Sequence, residues 1–150
     1  MAAPEREYLL VDGHSVIFAW PELRGLHVRR MASARDALVK TLTDYQDRSG
    51  VRVVVVFDGQ GAKVSEDEHG REGIQIFYAH AGQAADHIIE RLVAKYAAQF
   101  RLTVASSDRL VEQTVISFGA ASCVTAEGLK AVLDAAERAF ERETKLYRRG

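Results

Sequence analysis

Apolar runs too short for helices, alternating with helical patterns, constrain this chain more than any other feature. Tyr8-Leu9-Leu10-Val11 stops at Asp12-Gly13, and the β-branched run from Val51 to Phe57 stops at Asp58-Gly59. Ile74 to Tyr78, Leu102-Thr103-Val104-Ala105 and a short segment from Ser122 to Val124 read as three further strands. Between the first two strands, Ser33 precedes a helical pattern with Asp36 three positions on, an aspartate version of the capping box. Ala34, Leu38, Leu42 and Tyr45 follow at helical spacing, and Gly50 is a natural stop. From Ala84, the residues Ile88, Ile89, Leu92, Val93 and Tyr96 repeat at the same spacing to about Gln99. A short helix ends at Phe118-Gly119, and Thr125 can cap a last one with Leu129, Val132, Leu133, Ala136 and Phe140 on its apolar side. The polar stretch 59–73, with Gly59, Gly61, Gly70 and Gly73, reads as a loop. No internal repeat, proline-rich linker or shift of composition divides residues 1–150, which are expected to form a single domain.

Strands that are apolar throughout, with helices between them, predict an α/β fold with a mainly parallel five-stranded sheet covered on both faces. Crossovers in such a sheet are right-handed. Ligands then sit outside the carboxyl ends of the strands, near a topological switch point.

Composition narrows the class further. With 47% hydrophobic and 27% charged residues the chain is neither disordered nor of low complexity. The longest strongly apolar run, Val53 to Phe57, is far short of the roughly 20 residues a membrane helix needs. The first residues, Met-Ala-Ala-Pro-Glu-Arg-Glu, lack the basic-then-apolar pattern of a signal peptide, so a cytoplasmic protein without a membrane partner is expected. A single cysteine, Cys123, leaves no partner for an internal disulfide and excludes a multi-cysteine zinc site. Net charge is −1, which gives no global sign of a polyanion partner. Its distribution is uneven: Arg24, Arg29, Arg30 and Arg35, with His27, stand between Glu22 and Asp36 without an intervening acid, and Lys145, Arg148 and Arg149 end the chain. Such clusters are solvated faces or phosphate contacts, and charge alone does not choose.

Three predicted strands carry aspartate at their carboxyl ends: Asp12, Asp58 and Asp108. Asp86 lies in the first turn of the helix after the third strand, which begins on the same rim if the strands are neighbours. Aspartate is common at turns and helix caps, so each one alone has an ordinary explanation. Together at one cleft, such carboxylates would repel one another unless a hard cation relieved them. Mg²⁺, or Mn²⁺ in its place, suits an all-oxygen site. An ion so held can bind a phosphate oxygen and activate water, which makes phosphodiester hydrolysis the reaction class suggested. No Gly-x-Gly-x-x-Gly follows a strand and no phosphate-binding loop of the nucleotide-hydrolase type is present. His14, His27, His69, His80 and His87 show no paired ligand spacing, although His14 and His87 flank the rim. Trp20 could stack a base, but its neighbours Ile17, Phe18 and Pro21 favour packing in the core.

At these residues the chain resembles the YacP-like branch of the NYN group of PIN-like nucleases, a branch that includes a bacterial ribosome-associated endoribonuclease. The matching segments are Leu9-Leu10-Val11-Asp12-Gly13, Ala19-Trp20-Pro21-Glu22-Leu23-Arg24, Val54-Val55-Val56-Phe57-Asp58, Ala85-Asp86-His87-Ile88-Ile89-Glu90-Arg91-Leu92 and Ser106-Ser107-Asp108-Arg109, in order over about residues 8–140. The resemblance implies a PIN-like three-layer α/β/α sandwich with central strand order 3-2-1-4-5. It also implies a Mg²⁺-dependent endoribonuclease whose acidic residues match Asp12, Asp58, Asp86 and Asp108, with cleavage of mRNA during translation in the ribosome-associated member. The family pattern has Tyr-Asn after Asp-Gly, where this chain has His14-Ser15. The Ser15 hydroxyl can bond a phosphate or a metal-bound water but reaches less far than an asparagine amide.

A metal-dependent endoribonuclease is therefore the first expectation, with Arg24, Arg29, Arg30 and the 59–73 stretch as RNA contacts. A module that binds RNA or the ribosome with little or no catalysis is the second. A phosphate-handling enzyme acting on small molecules is the third, disfavoured by the basic segment and the resemblance.

Overall fold

The computed structural model describes residues 6–59, 65–68, 73–81, 85–118 and 121–149. In chain order the elements are β1 (Glu7–Asp12), α1 (Gly13–Ala19), α2 (Pro21–Arg29), α3 (Met31–Ser49), β2 (Arg52–Gly59), β3 (Ser65–Glu68), β4 (Gln75–Ala81), α4 (Ala85–Tyr96), β5 (Arg101–Ala105), α5 (Arg109–Ser117), β6 (Ala121–Val124) and α6 (Ala126–Arg149).

The sheet runs β3-β4-β2-β1-β5-β6, with β3 antiparallel to β4 and the other pairs parallel. Its five parallel strands are the five predicted ones, in the order 3-2-1-4-5. The sixth, β3, is Ser-Glu-Asp-Glu, inside the stretch read as a loop. It carries no apolar signal because an edge strand needs only its backbone to pair; residues 60–64 and 69–72 of that stretch lie outside the described ones.

Alternation along the strands sorts their side chains into two cores. Leu9, Val11, Val53, Val55, Phe57, Ile74 and Ile76 face α1, α2, α3 and α6, which contribute Ile17, Leu23, Leu38 and Leu129. Leu10, Val54, Val56, Leu102 and Val104 face α4 and α5, which contribute Ile88, Ile89, Val93, Val111 and Val115. The result is the three-layer α/β/α sandwich. Each fully buried aliphatic side chain contributes about 1.5–3 kcal/mol, so both layers are needed to hold a sheet apolar on both faces.

Where one helix is expected between the first two strands, three are found. Asp12 caps α1, and Pro21 starts α2 at a position where its missing N–H costs nothing. Ser33 is not a cap: α3 begins at Met31, directly after the Arg30 cap residue, so Ser33 falls inside the first turn. Gly50 ends α3 in the left-handed conformation (φ 77°). Thr125 Oγ1 accepts from Gly128 N–H at 2.9 Å, capping α6. Trp20 belongs to the core, 4% exposed, and its indole donates to the Ala126 carbonyl at 2.9 Å, tying α2 to the start of α6. No helix among the described residues is long and apolar enough to cross a membrane.

Candidate active site

Sheet register decides which carboxylates meet. Asp12 ends β1 opposite Val56 of β2, and Asp58 follows two residues further along the adjacent strand. β2 and β4 lose register between Phe57 and Gly59, an irregularity of the kind that re-aims a side chain at a strand end. Beyond β5, Asp108 caps α5 by accepting the Leu110 N–H at 2.9 Å. Asp86 stands in the first turn of α4. All four aspartates line one cleft of ≈ 450 Å³, together with His14, Ser15, Phe18, Ala19, Ala85, Ser107 and Glu127. The cleft lies at the carboxyl ends of the parallel strands, where the fold predicts a site.

Asp12 is the buried member, 8% exposed. Its Oδ2 accepts the hydroxyls of Ser15 at 2.7 Å and Ser106 at 3.0 Å, and the Ser15 N–H points at Oδ1 from 3.5 Å. Burial pushes its pKa above the ordinary 3.8, and the like charge of Asp58 pushes the same way; the Ser15 and Ser106 hydrogen bonds pull it down. Asp58 Oδ1 accepts the Ala85 N–H at 2.6 Å, joining the end of β2 to the start of α4. Its Oδ2 is in short contact with His14 Nδ1. Asp86 accepts its neighbour's amide, the His87 N–H, at 2.9 Å, and the His87 ring stands mostly in solvent.

The structure brings together Asp12, Ser15, Asp58, Asp86 and Asp108. Arg24, Arg29 and Arg30 are exposed on or just after α2, outside the cleft lining, with no carboxylate partner among the described residues. Arg35 of the same basic stretch packs instead over the Phe57 and Tyr78 rings, 6.0 and 5.8 Å from their centroids. Sequence reasoning missed Ser106, which is 3% exposed and holds two predicted site residues at once. Its hydroxyl donates to Asp12 and accepts the Asp108 N–H at 3.1 Å. Its place directly after β5, on the same rim, is the signal that could have found it. Glu127, in the first turn of α6 beyond β6, was legible by the same logic.

Three layers, a parallel sheet of this order and an acidic cleft at its carboxyl edge define a nuclease-type domain of PIN-like architecture. The chain belongs to the YacP-like NYN domain family, whose model matches residues 9–149. It is 32% identical over 140 residues to the protein YacP of Bacillus subtilis (strain 168), covering 93% of this chain and 82% of that one. The crystal structure of Rae1 (YacP) from Bacillus subtilis superposes with a TM-score of 0.74 at 31% identity, covering 94% of this chain and 81% of that chain. A mutant of the same protein gives 0.77 at 30% identity, over 94% and 83%. Membership carries a nuclease-like, RNA-related function, and nucleases of this type generally use divalent metal ions.

The donor chemistry of the cleft fits such an ion. Carboxylates and hydroxyls are hard oxygen donors, the preference of Mg²⁺ and Mn²⁺, and the repulsion felt at Asp12 is what a cation would relieve. Among the described residues no three His, Cys, Asp or Glu side chains converge as a ready-made ligand set. Asp12 and Asp58 are instead held by Ser15, Ser106, His14 and the Ala85 amide.

Proposed function

We propose that this chain, acting as one domain, is a metal-dependent endoribonuclease that hydrolyses RNA phosphodiester bonds. The observation that carries it is the gathering of Asp12, Asp58, Asp86 and Asp108, from four separate segments, on one open cleft. Those four residues would hold Mg²⁺ or Mn²⁺, which when bound supplies charge to a phosphate oxygen and acidity to a bound water. Ser15 and Ser106 fix the Asp12 carboxylate, so its position at the floor of the cleft is set before substrate arrives. Ser15 also lines the cleft; with its one proton donated to Asp12, its hydroxyl oxygen is left to accept from a water bound there, at the position where the family pattern has asparagine. Arg24, Arg29 and Arg30 contact phosphates of the flanking strand, which positions RNA without reading its sequence. The products are a 5′-phosphate and a 3′-hydroxyl. mRNA, with the ribosome as its setting and the cytoplasm as its compartment, is the substrate context supported by the resemblance.

One observation favours a second reading, an RNA- or ribosome-binding module with weak or no catalysis: the described carboxylates do not converge on a common point. Incubation with structured and unstructured RNA in Mg²⁺, Mn²⁺ or EDTA, followed by end analysis, separates the two. Cleavage that needs the metal and leaves 5′-phosphates supports the nuclease. Binding without cleavage in every metal supports the module.

A further inference from the structure

Phe18 is 51% exposed, although its neighbours on α1, Val16 and Ile17, are fully buried in the core. It lines the acidic cleft beside Asp12 and Asp58, so the chain's own packing does not account for it. Its ring meets that of His27 from α2, with centroids 4.9 Å apart and planes at 60°. His14 completes the group at 6.0 Å from Phe18 and 6.4 Å from His27, and it is anchored on Asp58. Three rings from two helices thus make a ledge at the edge of the cleft, with Phe18 its solvent-facing member.

We propose that this ledge is a base-binding subsite, on which a nucleobase of single-stranded RNA stacks against Phe18 beside the phosphate held in the cleft. The proposal rests on the nuclease reading of the cleft and adds where the adjoining nucleotide sits. A nucleotide is the ligand class that offers both a flat apolar face for a ring and an anionic group for cations. Arg24 stands three positions from His27, on the same side of α2, and is exposed. The one acid of α2, Glu22, is occupied by Lys130 at 3.1 Å, which leaves the helix locally basic. The bases of a duplex are already paired and stacked, so only an unpaired base can present its face. Stacking of this kind tolerates any base, so the ledge positions the strand without selecting sequence.

The test is binding of a short fluorescent single-stranded RNA by the full chain in EDTA, where affinity is read without cleavage. The same measurement is made on a duplex of that sequence. Phe18→Ala is expected to weaken single-strand binding about five- to hundredfold, while Phe18→Trp restores it. The salt dependence is expected to keep its slope, because a stacking contact releases no counterions. Duplex binding is expected to be equal for parent and Phe18→Ala. The proposal is overturned if folded Phe18→Ala binds the single strand within about twofold of the parent, or loses affinity equally for the duplex. A parent chain that cleaves RNA with an unaffected Phe18→Ala variant removes the ledge alone. A parent that neither binds nor cleaves RNA removes the nuclease reading and the ledge together.

Discussion

Gly13 stands between Asp12 and the His14-Ser15 pair at the start of α1, and its missing side chain is a structural requirement. A Cβ built there would lie 2.4 and 2.5 Å from Cδ1 and Cε1 of Phe57 and 3.1 Å from the Val56 carbonyl oxygen. Ordinary carbon contacts are about 3.5–4.0 Å, so the overlap with the ring is about 1 Å. Phe57 cannot swing away freely. It is fully buried, stacked on Tyr78 at 5.7 Å and covered by the Arg35 guanidinium. In Gly13→Ala the start of α1 must lift from β2. Overpacking of this size costs about 1–3 kcal/mol, and sometimes more. The better helix propensity of alanine offsets at most about 1 kcal/mol. The net loss is therefore about 0–3 kcal/mol, at roughly 2–4 °C of melting temperature per kcal/mol for this chain length. Gly25→Ala in α2 is the internal control, since a Cβ there meets nothing within 4 Å and the same propensity gain applies unopposed. Thermal unfolding followed by far-ultraviolet circular dichroism compares the two. Lifting α1 also draws His14 away from Asp58 and Ser15 away from Asp12, so cleavage per folded molecule should fall in Gly13→Ala and not in Gly25→Ala. A Gly13→Ala protein that melts as high as Gly25→Ala would refute the close-approach argument.

Three further outcomes are expected. Folding raises the Asp12 pKa above 3.8, so that group's contribution favours the fold below its unfolded pKa and is lost as pH rises through the folded value. Asp12→Asn should therefore abolish metal-dependent cleavage yet melt higher than the parent in EDTA at neutral pH, with the difference shrinking toward about pH 4; a pH-independent difference would show that charge is not the cause. Ser15→Ala deletes a 2.7 Å bond to that carboxylate, worth about 1.5–3 kcal/mol with a charged partner. It should reduce turnover by less than Asp12→Asn and move the acidic limb of the pH–rate profile upward, while Ser15→Asn keeps activity; a folded but inactive Ser15→Asn would break the family analogy at this position. Arg29→Ala and Arg30→Ala should weaken RNA binding alike across sequences, each flattening the slope of log K against log salt by roughly 0.7 for single strands; an unchanged slope in the double variant would make this stretch a solvated face.

Much of the fold was legible because burial in strands and helices is written in neighbouring residues. The period of two in Leu9, Leu10 and Val11 sends side chains to two opposite cores, and the wholly apolar strands already require helices on both faces. Strand ends were marked by Asp12-Gly13 and Asp58-Gly59, the end of α3 by Gly50 and the start of α6 by Thr125. Signals of that kind fail where an element is held by backbone pairing or position alone. β3 is a polar edge strand without an apolar face, and α1 is capped by the same Asp12 that reads as a site residue.

The sequence by itself determined that carboxylates would end several parallel strands, because a strand's direction and termination are local properties. Strand order came through family resemblance, since no periodicity within a strand names its neighbour. Only the tertiary structure decided what holds each carboxylate. His14 reaches Asp58 across 44 residues, and Ser106 reaches Asp12 across 94. Both contacts exist because β1 lies between β2 and β5, which brings the ends of three strands onto one edge of the sheet. The raised pKa of Asp12 has the same origin: burial and the nearby Asp58 charge, which raise it, and the two serine hydroxyls that oppose them are assembled by packing, and only Ser15 stands near it in the sequence.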